Sequence, residues 1–303
     1  MCSLFGFYNY SKSEIKDLSQ LTNKLAQEAT VRGTDATGIS YNYKNNLVIH
    51  KEPKSAHKMK FNHPDNTISV MGHTRHSTQG SEKKNFNNHP FMGKCKNSRF
   101  TLAHNGIISN DDRLRFEYSI PKTKIETDSY IAVQMIEKKK ILDNESIKFM
   151  SEKVHGSFTF SILDDKNILY LVKGDNPLSI IHFPKYKLYV YASTDEILYK
   201  ALLGTNLFKE VKQGNFEEIE ITSGEILIIC PCGKIMRDKF KYTDYSYCGL
   251  FDWSRYGHNF FEDDDYITDL KSISKYYGYE PDDIDILIQE GFSPEEIEEF
   301  IYT

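Results

Sequence analysis

The sequence lacks the signatures of secreted, membrane-spanning and nucleic-acid-binding proteins. Its five cysteines are odd in number and unevenly spaced, which is typical of a reducing cytosol rather than of a disulfide framework. Cys230 and Cys232 lie too close together for the usual zinc spacing and lack a second pair, so no metal site is expected. The first ten residues carry no basic segment of a signal peptide, and no apolar run approaches a membrane span. The net charge is −5 and the basic residues form no stripe, so nucleic acid is not an expected partner. The sequence therefore predicts a cytoplasmic protein with no membrane association.

The composition is that of a globular chain with one large domain and a small appendage. Of its 303 residues, 39% are hydrophobic and 27% are charged. Periodicity gives strands, then helices, then strands with hairpin-length connections, which predicts an α+β fold with antiparallel sheets. The main domain is expected over residues 2–238. Residues 239–262 are rich in aromatics and form an arm or linker, and residues 263–303 form a small helical segment of three short helices.

The second residue is the most reactive feature of the chain. Methionine before a small side chain is normally removed during synthesis, so Cys2 would then carry both a thiol and a free α-amine. An N-terminal cysteine can use its own amine, usually through a water, to accept the thiol proton during attack. The competing interpretation is that the Met1–Cys2 pair is accidental. A strand predicted over Ser3 to Tyr8 would hold Cys2 at the leading end of a rigid element.

Several polar motifs further along the chain have structural explanations when each is taken alone. The Asn105–Gly106 step is typical of a tight hairpin turn. Thr127 is a plausible N-cap of a helix, and Asp128 would then favour the positive end of that helix. Ser193 to Asp195 can cap another helix.

Taken together, the motifs resemble the class II glutamine amidotransferases. The order is Cys2, then RGTDATG at 32–38, GHTRHSTQG at 72–80, NNHPF at 87–91, LAHNGIISN at 102–110 and ETDSY at 126–130. The similarity covers roughly residues 2 to 230 and is closest to the glutaminase domain of glucosamine-6-phosphate synthase, with amidophosphoribosyltransferase also near. It implies an N-terminal-nucleophile hydrolase fold, a four-layer αββα sandwich of antiparallel sheets, with the helical segment as a C-terminal extension.

The resemblance also implies roles for individual residues. Cys2 would attack the side-chain amide of glutamine and form a γ-glutamyl thioester, releasing glutamate and ammonia. The side chain of Asn105 and the backbone N–H of Gly106 would form the oxyanion hole. Arg75 would bind the α-carboxylate of glutamine, because a guanidinium matches a carboxylate as a two-pronged donor, and Asp128 would bind the α-ammonium group.

Further residues match family positions around these five. Thr78 and His89 would line the glutamine pocket, and Arg32, Gly33 and Asp35 would brace the nucleophile end. The family needs no cofactor and no metal for glutamine hydrolysis. Two positions depart from its pattern: His76 stands where a large aromatic is common, and Ala36 stands where serine is common.

The sequence contains no motif for the use of ammonia. It has neither a Ser-Gly-Gly-x-Asp-Ser pyrophosphatase loop nor a Walker-type phosphate loop, and residues after 240 leave no room for a sugar-isomerase or phosphoribosyltransferase domain. We therefore expect a separate synthase subunit as partner. Two competing functions stay open: an amidohydrolase of the same fold acting on another amide, and a non-catalytic regulatory protein.

Overall fold

The structure is a computed structural model that describes most of the chain. The described residues are 2–11, 18–44, 46–243 and 278–289, with the separate positions 267, 270–271, 274–275, 292, 297 and 301. Within these residues, none of the helices is long and apolar enough to cross a membrane.

One face of the main domain is built on a seven-stranded antiparallel sheet. Its strand order is β11-β9-β10-β1-β4-β2-β3, so the first strand of the chain lies in the middle. The strands are β1 (Ser3–Asn9), β2 (Ala36–Tyr43), β3 (Asn46–Glu52), β4 (Ser69–Arg75), β9 (Ser179–Phe183), β10 (Leu188–Ala192) and β11 (Glu217–Glu218). All seven residues of β1 are buried, as expected of a central strand covered on both faces.

The second sheet has six antiparallel strands in the order β13-β12-β8-β7-β6-β5. They are β5 (Phe91–Lys94), β6 (Arg99–Ile108), β7 (Gly156–Asp164), β8 (Leu169–Lys173), β12 (Glu225–Ile229) and β13 (Ile235–Lys239). β5 pairs with the first half of β6, from Arg99 to Leu102. The second half of β6 has β7 as its sheet partner, so its far edge is open to side chains from other segments.

Helices cover the outer face of each sheet, which gives the predicted four layers. The described helices are α1 (Leu18–Glu28), α2 (Asp111–Glu117), α3 (Tyr130–Lys139), α4 (Asn144–Lys153), α5 (Asp195–Leu202), α6 (Asn206–Lys212) and α7 (Pro281–Gln289). α1, α5 and α6 pack on the seven-stranded sheet, and α2, α3 and α4 pack on the other. A third apolar cluster, with Leu4, Met71 and Leu171 among its members, fills the space between the sheets. The αββα prediction is confirmed.

Local structure differs from the sequence-based predictions at several places. Asn105 and Gly106 lie inside β6 and are not a hairpin turn. Thr127 is not an N-cap, because α3 begins later, at Tyr130, after an irregular turn. The elements α2, α6 and β13 have no counterpart in the sequence-based predictions. α7 begins at Pro281, within the segment predicted to be helical.

The C-terminal predictions fall partly on described residues. Phe240 and Tyr242, at the start of the aromatic segment, pack against the outer core of the six-stranded sheet. The rest of that segment lies outside the described residues. Ile284 of α7 forms an apolar cluster with Leu270, Ile297 and Ile301, while much of the two neighbouring predicted helices lies outside the described residues. The boundaries at 238 and 262 stay predictions.

Candidate functional site

Cys2 lies at the leading end of β1, beside the end of β4. The two strands pair antiparallel with Ser3 opposite Thr74, so Cys2 comes next to the residues that leave β4. The thiol is half-buried between the backbone groups of His76, whose N–H donates to Sγ at 3.4 Å and whose carbonyl oxygen is 3.5 Å from it. Burial raises the pKa of the Cys2 thiol, while the His76 N–H and the charge of Arg75 act in the opposite direction.

The turn before β2 holds this end of the chain in place. Arg32 donates through Nε to the carbonyl oxygen of Cys2 at 2.9 Å. The backbone of Gly33 approaches Arg75 so closely that a Cβ at this position would lie 2.5 Å from the Arg75 carbonyl carbon. Any larger residue would push the two segments apart. Arg32 and Gly33 therefore contact the two segments that frame the thiol.

Asp35 fixes the chain on either side of His76. Its N–H donates to the carbonyl oxygen of Arg75 at 3.0 Å, and its Oδ2 accepts from the N–H of Ser77 at 2.7 Å. Two bonds from one residue thus bracket His76, whose backbone contacts Cys2. The His76 side chain itself points outward and is 58% exposed.

Arg75 is buried with a partly satisfied guanidinium group. Nη1 donates to Oδ1 of Asn88 at 2.7 Å, and Nη2 donates to the carbonyl oxygens of Gln79 and Gly80, both at 2.7 Å. A guanidinium has five N–H donors, so these three bonds leave two for another acceptor. The arrangement fixes the Arg75 guanidinium beside Cys2 and leaves two of its N–H donors for another acceptor.

Asp128 presents a buried carboxylate that is held by the end of β6. Its Oδ2 accepts from the N–H of Ile108 at 2.7 Å, and its Oδ1 lies 3.3 Å from the hydroxyl of Ser129. The Asp128 N–H donates to Oε1 of Gln79 at 3.2 Å. Because Gln79 also accepts from Arg75, this one residue joins the buried cation to the segment that carries the buried anion. Gln79 lies within the GHTRHSTQG motif, but the sequence assigns it no role, because its contacts with Arg75 and Asp128 arise only in the folded chain.

Asn105 and Gly106 lie on the open part of β6. Asn105 is buried, and its Nδ2 is 3.4 Å from Oγ of Ser193, a second residue that sequence analysis did not place in the site. Gly106 has φ = +141°, and a Cβ at this position would lie 1.9 Å from the carbonyl oxygen of Ser157. Only glycine fits here, because both the backbone conformation and the space exclude a side chain.

Three neutral histidines fill the space beside Arg75 and Asp128. The rings of His73 and His89 are 4.2 Å apart between centroids, and His104 shares a hydrogen bond of 2.8 Å with Ser129. Burial lowers the pKa of all three, that of His73 to about 3. Neither ring nitrogen of His89 has a hydrogen-bond partner among the described residues.

The structure brings the predicted residues together at one end of the two sheets, with Thr78 as the least constrained. Thr78 is exposed in the loop after β4, and its side chain makes no hydrogen bond to the described residues. His89 is buried next to His73. The arrangement offers one thiol, one buried cation and one buried anion, with polar donors on β6.

Comparison with known proteins finds similarity to glutamine amidotransferases in sequence, and a similar fold among solved structures. Residues 73–200 match the family model described as a glutamine amidotransferase domain. A glutamine–fructose-6-phosphate aminotransferase from Bacillus thuringiensis subsp. konkukian is 30% identical over 188 residues, which cover 59% of this chain and 30% of that protein. The corresponding enzyme from Staphylococcus aureus is 31% identical over 191 residues, with the same shares.

Among solved structures, the fold resembles that of glutamine phosphoribosylpyrophosphate amidotransferase from B. subtilis. The TM-score is 0.62 at 20% identity, covering 80% of this chain and 50% of that one. An allosteric regulatory enzyme of purine biosynthesis gives the same TM-score at 21% identity, with the same coverage. The present chain spans 30% of the length of the curated relatives and half of the solved chains.

Proposed function

Because the chain belongs to the class II glutamine amidotransferases, we propose that it hydrolyses the side-chain amide of glutamine with Cys2 as nucleophile. The observation that carries this proposal is the position of the thiol. Cys2 lies against the residue that follows Arg75, and Gln79 joins Arg75 to Asp128. A thiol beside a cation and an anion suits a substrate that has a free α-carboxylate and α-ammonium group better than it suits an uncharged amide substrate.

The proposed reaction begins once Met1 has been removed. The α-amine of Cys2 accepts the thiol proton, and sulfur attacks the amide carbon of glutamine. The C–N bond then breaks, and the amine returns the proton to the departing nitrogen, which leaves as ammonia. Water next attacks the γ-glutamyl thioester, the C–S bond breaks, and glutamate leaves with the thiol restored.

Binding and charge stabilisation follow from the buried groups. Arg75 directs its two remaining N–H donors at the α-carboxylate, and Asp128 accepts from the α-ammonium group. Asn105 and the N–H of Gly106 donate to the oxygen that becomes negative in the transition state, where one such donor is worth about 10² to 10³ in rate. Thr78 and His89 complete the pocket wall, and Arg32, Gly33 and Asp35 hold the nucleophile in position.

The ammonia would pass to an acceptor on a separate synthase. This part of the proposal is supported by the curated relatives, which are named glutamine–fructose-6-phosphate aminotransferases and of which this chain spans 30% of the length. Residues 239–303 would provide the docking module, with the aromatic arm over 239–262 and the helical segment over 263–303.

Intact-mass analysis with a γ-electrophilic glutamine analogue tests the mechanism directly. The purified protein should have lost Met1 and should gain one covalent adduct on Cys2, and Cys2→Ala should gain none. Adduct formation elsewhere, or glutamine turnover by Cys2→Ala, would refute the assignment.

Steady-state rates with glutamine and with N-acyl amides distinguish glutamine hydrolysis from the two competing functions. Preference for N-acyl amides would indicate an amidohydrolase of different specificity. Turnover of neither substrate would indicate a non-catalytic protein on the same fold.

A further inference from the structure

Ser193 occupies a fully buried position between the nucleophile strand and the opposite sheet. It follows directly after β10, which pairs with β1 so that Ala192 lies opposite Phe5. The hydroxyl Oγ of Ser193 accepts from the N–H of Leu4 at 2.8 Å, and the Ser193 N–H donates to the carbonyl oxygen of Leu4 at 2.9 Å. Ser193 is thereby fixed to a residue two positions from Cys2.

The same hydroxyl oxygen reaches across to the other sheet. Nδ2 of Asn105, on β6, lies 3.4 Å from Oγ of Ser193, and Asn105 is 1% exposed. Because the carboxamide nitrogen carries two hydrogens, one can face Ser193 while the other stays available to a ligand. The distance is longer than the common 2.7–3.2 Å, and such bonds often shorten when a site is occupied.

The hydroxyl of Ser193 is not needed for the local helix. The sequence allows any residue from Ser193 to Asp195 to cap α5, but the structure uses Thr194, whose side chain accepts from the N–H of Ile197. The Ser193 hydroxyl instead bonds to groups of β1 and β6. Its side chain therefore has a different task from that of its neighbour.

We propose that Ser193 is a positioning residue that fixes the carboxamide of Asn105 relative to Cys2. This inference rests on the proposed function, in which Asn105 donates to the developing oxyanion. One hydroxyl oxygen contacts the strand that carries the nucleophile and the side chain that stabilises the charge. The distance between attacking sulfur and oxyanion donor is then set by a single shared group.

The proposal predicts a loss confined to the chemical step. Ser193→Ala leaves the Asn105 amide free to rotate, so kcat for glutamine should fall about 10- to 100-fold, below the full value of one oxyanion donor. KM should stay within about threefold, because the hydroxyl of Ser193 bonds to Leu4 and Asn105 rather than to Arg75 or Asp128. Thr194→Ala is the matched control: it removes the neighbouring hydroxyl and its capping bond, which lowers thermal stability, and its kcat should stay within about twofold of wild type.

A double-variant cycle separates positioning from general damage. Asn105→Ala and the double variant Ser193→Ala/Asn105→Ala should have kcat values within about twofold of each other, since the proposal assigns the effect of the Ser193 hydroxyl on kcat to Asn105. Losses that multiply in the double variant, or a wild-type kcat in Ser193→Ala, would overturn the proposal. If Ser193→Ala does not fold, Ser193→Cys keeps a weaker acceptor at the same place, and its kcat should fall with unchanged KM. A wild-type kcat in Ser193→Cys would also overturn the proposal.

The experiment distinguishes a failure of this proposal from a failure of the proposed function. Wild-type protein that does not turn over glutamine would refute the proposed function itself. Active wild-type protein whose rate does not depend on Ser193 would refute only the positioning role.

Discussion

Replacing Asp128 by asparagine removes one charge and leaves the shape of the side chain unchanged. The retained oxygen can still accept from the N–H of Ile108, now 2.7 Å from Oδ2. The new NH₂ group would face the hydroxyl of Ser129, which can accept from it while donating to His104, 2.8 Å away. The hydrogen-bond network therefore tolerates Asp128→Asn, and we expect the variant to fold.

The expected effect on glutamine follows from the lost charge. A hydrogen bond to a charged partner contributes about 1.5–3 kcal/mol, which corresponds to about a 10- to 150-fold change in kcat/KM. Most of this loss should appear in KM, because the α-ammonium group lies away from the reacting amide and binds equally in the ground state and the transition state. The thiol chemistry at Cys2 should be unaffected.

The assay compares glutamine with glutaramate, the same γ-amide without the α-amino group. Wild-type protein should favour glutamine by at least about tenfold in kcat/KM, and Asp128→Asn should lose that preference while its activity on glutaramate stays within about threefold of wild type. A variant that still favours glutamine as wild type does would refute the role of Asp128. Equal losses on both substrates would show that the carboxylate only supports the structure.

Two further predictions concern the strand that carries the donors and the pH dependence of stability. Gly106→Ala should abolish turnover and lower the thermal midpoint in a denaturation scan. Residue 106 has a positive φ, and the added Cβ would lie 1.9 Å from the carbonyl oxygen of Ser157. A stable, active variant would contradict the positive-φ backbone. Burial, with the charge of Asp128 as the second cause, raises the pKa of Asp111 to about 6, so the folded chain holds this proton more tightly than the unfolded chain. The resulting stabilisation is present below about pH 4 and is lost as the pH rises through 6. In urea denaturation, Asp111→Asn should therefore be about 1–3 kcal/mol more stable than wild type at pH 7.5 and no more stable at pH 4. An equal gain in stability at both pH values would contradict the shifted pKa.

The order of elements could be predicted from sequence because each depends on local patterns. Alternation predicted β1, and the resemblance carried by the motif order implied the four-layer fold. The Asn105–Gly106 step shows where local patterns fail. The dipeptide is typical of hairpin turns, yet its pairing with β7 keeps it within a strand. The glycine is required by its positive φ and by its close approach to Ser157.

Gln79 and Ser193 could not be predicted because their importance arises only when distant segments meet. Gln79 lies in an irregular loop and acts through a backbone carbonyl and a side-chain oxygen that point to different segments. Ser193 precedes a helix, where serine is commonly a cap, and the adjacent Thr194 provides that cap instead. The proposed substrate-binding residues lie in recurrent motifs. The contact between Ser193 and Asn105 joins residues 88 positions apart and therefore depends on the tertiary fold.

The environment of Cys2 explains why a nearby base matters more than a reactive thiol. Burial raises the pKa of Cys2, and the His76 N–H and Arg75 only partly oppose this effect, so the thiol is mainly protonated near neutral pH. The buried histidines are poor bases for it, because burial lowers the pKa of His73, His89 and His104, and because His73 and His104 are engaged in hydrogen bonds of their own. In the proposed mechanism, the α-amine of Cys2 needs no such site, since it would be covalently attached to the residue that it deprotonates. The buried polar groups would then serve the substrate and the oxyanion, and removal of Met1 would supply the base.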